Sequence, residues 1–168
     1  MDLHPAGLPS YGGSRVYGLN ATTEVGWIET FSSTHAALWH GSAASMVDLN
    51  PSGAFSSAAF AIMDGYVAGS ATFGLSTHAG IWSGTAASFF DLHAALGPGF
   101  TYSQAAAIWM DGANIMVAGS AGGSGYARAV FWKITPVPEP SALTLAAIAA
   151  TALLVSQRGS GMNGARTR

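Results

Sequence analysis

The chain has 168 residues, of which 49% are hydrophobic and only 8% charged, against about 25% charged in an ordinary soluble domain. Because it contains no cysteine, it forms no disulfide framework and no thiolate metal site. Residues 1–136 hold seven acids and three bases, and this acidic balance without a basic stripe excludes a typical nucleic-acid-binding protein.

The body of the chain is an internal repeat with an offset of 43 residues, the separation of His35 and His78. The segment THAALWHGSAASMVDLN at 34–50 aligns with THAGIWSGTAASFFDLH at 77–93. The opening MDLHPAG reads against VDLNPSG at 47–53, and RAVFWK at 128–133 repeats HAALWH of the first unit. A period in this range predicts a repeat architecture.

Each repeat unit predicts four short strands. Asp64-Gly65 favours a two-residue hairpin turn, because both central residues of that turn need a positive φ. Four strands in about 43 residues match the size of one propeller blade. Alternating apolar residues with β-branched or aromatic side chains mark the four strands as Ala36–His40, Ser45–Leu49, Ala58–Met63 and Tyr66–Ala71.

Residues 1–134 therefore predict an all-β repeat region of three four-stranded antiparallel sheets, with Ile62 and Ile108 inside. The region holds a partial first unit, two full units and one further strand. Because propellers have about four to eight blades, we interpret it as a partial β-propeller, with a β-prism-like fold as the alternative. Met1 falls within a unit, so we expect further units and a signal peptide upstream; an in-frame stop there would instead favour completion by self-association.

The repeating pattern resembles a known family. His-Ala-x-x-Trp-x-Gly, Asp-Leu, Ser-x-Ala-x-x-Ile and Gly-x-Val-x-Gly-Ser together resemble the HAF repeat of bacterial extracellular proteins. The resemblance covers nearly all of residues 1–134, although the third copy has Arg128 where His35 and His78 stand. It implies a propeller-like surface protein, and it carries no catalytic residues to this chain.

The titratable residues predict neither a metal site nor an enzyme. His35 and His78 are equivalent by repeat, and His4 and His93 share the position of Asn50, so repeat geometry explains them better than ligation. Five of the seven acids of the body recur at turns, which leaves two without a recurrent role. A glycosidase needs two carboxyl groups some ~5 to 9.5 Å apart. The alternative left open is that Glu24 or Glu29 meets another acid of the body at such a distance.

One tryptophan recurs in each unit: Trp39, Trp82 and Trp132. A strand buries alternate large side chains, so we expect these indoles in the core. The alternative is a ring of exposed indoles that stack on sugars, as in lectin-like propellers. Exposure of Trp39 and Trp82 separates the two interpretations.

The end of the chain has three parts: a proline-rich linker at 135–140, an apolar segment at 141–157 and a basic tail at 158–168. The fourteen residues 142–155 carry no charge and would span about 21 Å as a helix, against a hydrocarbon core of ~30 Å. Adding the polar flanks and letting Arg158 reach the interface narrows this difference. We therefore predict a transmembrane helix at 141–157, with a buried helix as the alternative.

Pro138, Glu139 and Pro140, an apolar helix and the terminal Arg158, Arg166 and Arg168 together resemble the PEP-CTERM sorting signal. The resemblance implies export in a Gram-negative bacterium, with exosortase and membrane lipid as partners. It also implies an inner-membrane anchor with the body outside the cytoplasm, followed by processing and release to the cell surface or the exopolysaccharide. We expect a non-catalytic surface or matrix protein without a cofactor; the alternative is a carbohydrate-binding module.

Overall fold

The computed structural model describes residues 1–9 and 12–135, and Met1–Thr135 forms one compact unit. The linker after Thr135, the predicted membrane helix at 141–157 and the tail at 158–168 lie outside the described residues. Of the helices in the described part, none has the length and apolar character needed to cross a membrane.

The described chain is all-β and forms three antiparallel sheets, each with its strands in sequence order. The first sheet contains β1 (Ser14–Leu19), β2 (Glu24–Glu29), β3 (Thr34–Trp39) and β4 (Val47–Asp48). The second sheet contains β5 (Ser56–Met63), β6 (Tyr66–Phe73), β7 (Ser76–Trp82) and β8 (Phe90–Asp91). The third sheet contains β9 (Tyr102–Asp111), β10 (Asn114–Gly123) and β11 (Tyr126–Ile134). Short 3₁₀ turns occur at Ala43–Ser45, Ala86–Ser88 and His93–Ala95.

Three of the four strands predicted for each unit form with ends within two residues of those expected, but the prediction for Ser45–Leu49 is wrong over most of its length. A 3₁₀ turn at Ala43–Ser45 comes first, and the strand that follows has only two residues. The Ser45 hydroxyl donates to the carbonyl of Ser42 (2.7 Å) and accepts from the amide of His40 (2.8 Å). Such side-chain bonds compete with a strand ladder, so the chain turns here instead of extending.

Each sheet begins with the third predicted strand of a repeat unit. Within the second sheet, hairpins at Asp64-Gly65 and at Gly74 join successive strands; Asp64 and Gly65 have φ of 48° and 80°, as predicted. The segment Asn50–Pro51–Ser52–Gly53 instead leads from the first sheet to the second. Proline lacks the amide donor that a ladder needs, so the chain leaves the sheet at this point.

The prediction of three four-stranded sheets is correct for the first and second sheets and wrong for the third, which has three strands within residues 1–9 and 12–135. Residues 1–9 form no strand, although they align with the segment that includes β4. They keep the turn of that segment, because the Asp2 carboxylate accepts from the amide of His4 (2.9 Å) as Asp48 does from Asn50 (2.8 Å).

In every sheet, a glycine of the second strand faces a β-bulge in the first strand. At each of these glycines a Cβ atom would lie 1.7–2.1 Å from a carbonyl oxygen of the first strand, a distance that no real contact allows. The absence of a side chain therefore permits the bulge and its local twist. The glycines are Gly26, Gly69 and Gly119, and the bulged residues are Tyr17, Phe60 and Ala106.

The sheets stack in the order of the sequence and bury apolar side chains between them. Strands of the first sheet contact β5, and strands of the second sheet contact β9. Ile62 is buried in the cluster between the first and second sheets, and Ile108 in the cluster between the second and third, as predicted. The second sheet therefore covers one face of the first, and the third sheet covers one face of the second.

Replacement of Gly69 by alanine tests the bulge. We expect Gly69→Ala to lower the free energy of unfolding by about 1–3 kcal/mol or more, because its Cβ would lie 2.1 Å from the carbonyl oxygen of Ala58. Thermal denaturation followed by circular dichroism measures the effect. Gly97→Ala is the control, since a Cβ there meets no atom within 4 Å, and equal stability of the two variants would contradict this account.

Candidate functional site

The most developed polar arrangement in the body is a hydrogen-bonded serine between successive sheets. The Ser57 hydroxyl, on β5, accepts from the amide of Ala36 on β3 (2.9 Å) and donates to the side-chain carbonyl of Asn50 (2.6 Å). Ser103, on β9, accepts from the amide of Ala79 on β7 (2.9 Å) in the same way. We call each of these contact regions a sheet junction.

The serine provides a hydrogen-bond acceptor for the outer edge of the third strand. Only two residues of β4 pair with β3, so further edge groups of β3 need partners elsewhere. The amide of Ala36 finds Ser57, and its carbonyl accepts from the amide of Leu49 (2.8 Å). Both serines are buried, where an unsatisfied backbone group would be costly. The junctions therefore satisfy the backbone and pack apolar side chains at the same time.

A histidine and an aspartate pair on the third and fourth strands of the first two sheets. Nδ1 of His35 lies 2.7 Å from Oδ2 of Asp48, and the same atoms of His78 and Asp91 are also 2.7 Å apart. The two histidines belong to different sheets, as the repeat predicts. These pairs were not predicted from the sequence, although the constant spacing of 13 residues from His-Ala to Asp-Leu was a signal for them.

His93 lies beside one of these pairs. Its ring stacks on that of His78, with centres 4.3 Å apart, and its Nδ1 shares a hydrogen bond with the Ser103 hydroxyl (2.8 Å). Burial of the ring, and next the positive charge that His78 can carry, lower the pKa of His93 below its ordinary value. Asp91 opposes this effect without overcoming it. The surroundings of His93 therefore disfavour its protonated form relative to a free imidazole.

The three recurrent tryptophans are buried. Trp39 and Trp82 are fully enclosed, and Trp132 is nearly so. Among the described residues, none of the three indole N–H groups has a hydrogen-bond acceptor. Their positions agree with the core interpretation.

Glu24 and Glu29, the two acids without a recurrent role, hold backbone amides. Glu24 accepts from the amide of Gly41 (2.9 Å), and Glu29 accepts from that of Gly13 (2.7 Å). They stand at opposite ends of β2, five residues apart, which is about 16 Å in an extended strand. That separation exceeds what a glycosidase pair allows.

The described residues leave a groove along the third sheet. In the part of the chain that the structure describes, no three histidine or acidic side chains come together as a metal site would need. A groove of about 480 Å³ runs along β11 and is bordered by Phe90, Leu92, Phe131 and Trp132, among others. It contains no pair of groups suited to acid–base chemistry.

The sorting residues identified in the sequence lie outside the described residues: Pro138, Glu139 and Pro140, and the basic Arg158, Arg166 and Arg168. A scan of the chain against protein-family models, and searches among curated proteins and solved structures, find no match. The roles of the junction residues therefore follow from their contacts in this chain alone, and both family resemblances stay expectations.

Removal of the Ser57 hydroxyl tests the junction. We expect Ser57→Ala to lower the free energy of unfolding by about 1–3 kcal/mol, because the buried amide of Ala36 loses its acceptor. Chemical denaturation measures this loss. Ser32→Ala, at an exposed loop position, should change stability by less than about 0.5 kcal/mol. If the two variants are equally stable, the serine is not what satisfies this edge.

The lowered pKa of His93 predicts a pH dependence. The unfolded state binds a proton more readily at this residue, so its contribution to stability is complete above pH ~6.5 and is lost as the pH falls below that value. His93→Asn is a matched variant, because Asn50 occupies the same repeat position and bonds the equivalent serine. Between pH 7.5 and 5.5 we expect the melting temperature of the wild type to fall further than that of the variant. Parallel curves would contradict this.

Proposed function

We propose that this chain is a non-catalytic surface or matrix protein of a Gram-negative bacterium, exported, anchored by its C-terminal segment and processed by exosortase. One observation carries the proposal. Pro138, Glu139 and Pro140 precede an uncharged apolar run, and the chain after that run has three arginines and no acid. Body and tail also differ in charge, since the body is acidic.

Each part of the tail suits a step of sorting. The prolines cannot continue a strand or lie inside a helix, so they keep the motif extended and accessible to a membrane-bound processing enzyme. With its polar flanks at the interface, the apolar run comes close to the length that a membrane anchor needs. The arginines favour the cytoplasmic side, which places the body and Glu139 on the other side.

The body suits a scaffold more than a catalyst. Its recurrent polar side chains are engaged in the junctions, the turns and the histidine–aspartate pairs described above. The sheets are antiparallel meanders whose close contacts, within the described residues, join consecutive sheets. This succession supports a partial propeller over a prism, in which all three sheets would pack together.

The carbohydrate-binding alternative has less support. It depends on exposed indoles, and Trp39, Trp82 and Trp132 lie in the core. A role in binding the exopolysaccharide would then depend on the outer surface of the sheets. We keep the exopolysaccharide only as a destination of the processed protein.

Processing is tested in an exosortase-containing host that expresses the chain behind a signal peptide. We expect Glu139→Gln and Pro140→Ala to leave insertion intact and to block cleavage, so that uncut protein accumulates in the membrane fraction. Immunoblots of fractionated cells distinguish the two forms. Pro136→Ala, which changes a proline outside the motif, is the control and should mature like the wild type. Normal maturation of both motif variants would rule out the sorting signal.

A separate variant of the same experiment tests the anchor. Ile148→Arg adds about 2.5–3.5 kcal/mol to insertion at the helix centre. A short, alanine-rich segment has little insertion energy to spare, so we expect this variant to appear soluble in the periplasm. Membrane retention of Ile148→Arg would contradict a transmembrane anchor at 141–157.

A further inference from the structure

Two surfaces of the body are open at positions that the sheet junctions bury. The tail face lies on β11, and the head face lies on β1 and the segment before it. Each has two counterparts inside the body, at the junctions between the first and second and between the second and third sheets. The tail face comprises Arg128, Ala129 and Phe131. The head face comprises Met1, Asp2, Leu3, Ser14 and Leu19.

The tail face exposes an apolar side chain whose equivalents in the other two sheets are buried. Phe131, Leu38 and Ile81 each follow the residue that pairs with the central glycine of their sheet. Phe131 is 69% exposed, whereas Leu38 and Ile81 are 4% and 6% exposed. The position is the same in all three sheets, and among the described residues no further sheet covers Phe131.

The head face shows the complementary pattern. Leu19 is 71% exposed, whereas its equivalents Ile62 and Ile108 are 9% and 7% exposed. At the inner junctions the two sides meet, since Leu38 and Ile62 belong to one cluster and Ile81 and Ile108 to the other. Phe131 and Leu19 are therefore the two halves of a third junction of the same kind.

The backbone groups of the two faces also match. At each inner junction an alanine amide donates to a serine, and the alanine carbonyl accepts from the leucine of an Asp-Leu pair. These sets are Ala36, Ser57 and Leu49, and Ala79, Ser103 and Leu92. Ala129 has the place of the alanine on the tail face. Ser14 and Leu3 have the places of the serine and the leucine on the head face.

The charges are complementary as well. Arg128 stands where His35 and His78 stand in the other sheets, and those histidines pair with the aspartates of the fourth strands. Within residues 1–9 and 12–135 no carboxylate forms an ion pair with Arg128, whose guanidinium lies 5.0 Å from the centre of the Tyr126 ring. Asp2 is the equivalent aspartate and keeps the same turn. The head face thus supplies the acid that the tail face lacks.

The groove of about 480 Å³ beside Trp132 fits the same arrangement. On the second sheet, Phe89 packs on Trp82 at the corresponding place, with ring centres 4.9 Å apart. The register of β7 and β8 pairs Ile81 with Phe90, so the equivalent fourth strand on β11 would place Met1 opposite Phe131. Met1 would bring an apolar side chain to the border of the groove.

We propose that the tail face of one copy of this chain binds the head face of a second copy, with Met1-Asp2 as the fourth strand beside β11. The occupant is a second copy because the head face of this chain carries the leucine, the serine and the aspartate that complement the tail face. Counted over the described residues of each copy, two copies bound reciprocally give six four-stranded sheets, within the range of about four to eight for propellers, whereas three copies would give nine. The closed ring rests on the propeller fold proposed above; the docking does not depend on the sorting signal.

The oligomeric state of the full chain in detergent micelles, measured by analytical ultracentrifugation, tests this proposal. We expect a dimer for the wild type. Phe131→Asp and Leu19→Asp should each raise its dissociation constant at least about a hundredfold, because each would bury an unpaired carboxylate. Both residues are exposed in the single chain, so the variants should fold. The controls are Phe31→Asp and Leu75→Asp, which change equally exposed residues in neither face and should stay dimeric.

A mixture of the two variants tests the head-to-tail arrangement. The Leu19→Asp chain keeps an intact tail face and the Phe131→Asp chain an intact head face, so we expect the mixture to regain a dimer that neither variant forms alone. A wild-type monomer, or a wild-type oligomer other than a dimer, would overturn the proposal. So would a dimer that survives in Leu19→Asp and Phe131→Asp, since the membrane segment or another surface would then hold it, and so would a mixture that stays monomeric.

Discussion

The first two sheets share one constraint on which the body rests: the outer edge of the third strand needs hydrogen-bond partners that its own sheet barely provides. The fourth strand is only two residues long, so the amide of Ala36 turns to Ser57 in the next sheet and its carbonyl to Leu49. One sheet therefore completes the backbone of another. The same hydrogen bond fixes the position of β5 on the first sheet. It therefore also determines which apolar side chains pack between the two sheets.

This constraint explains why the polar residues recur as they do. An aspartate of each unit closes the turn after the fourth strand with one carboxylate oxygen, and in the first two sheets it meets a histidine of the third strand with the other. The residue two positions later, Asn50 or His93, orients the junction serine. These side chains form a connected set that positions one sheet against the next.

The same constraint governs the ends of the body. A sheet stacked on one side only leaves edge groups and apolar positions open, and such edges favour pairing with another chain unless they are covered. The tail face and the head face are open in this way, and their groups are those that the inner junctions bring together. Anchoring to a membrane would also raise the local concentration of such chains, so a surface location and self-association are compatible.

Local turn chemistry and side-chain alternation are enough to predict the all-β class, the repeat, most of the strands, the hairpin at Asp64-Gly65 and the burial of Ile62 and Ile108. They do not predict that Ser45–Leu49 turns instead of extending, because a hydrophobic pattern does not reveal the competing hydrogen bonds of Ser45; the folded structure decides this. It also decided where each sheet begins and that His35 meets Asp48 and Ser57 meets Ala36. These contacts join residues 13 and 21 positions apart, and their geometry is set by the register between strands and the crossing between sheets, which the periodicity of a single strand does not specify.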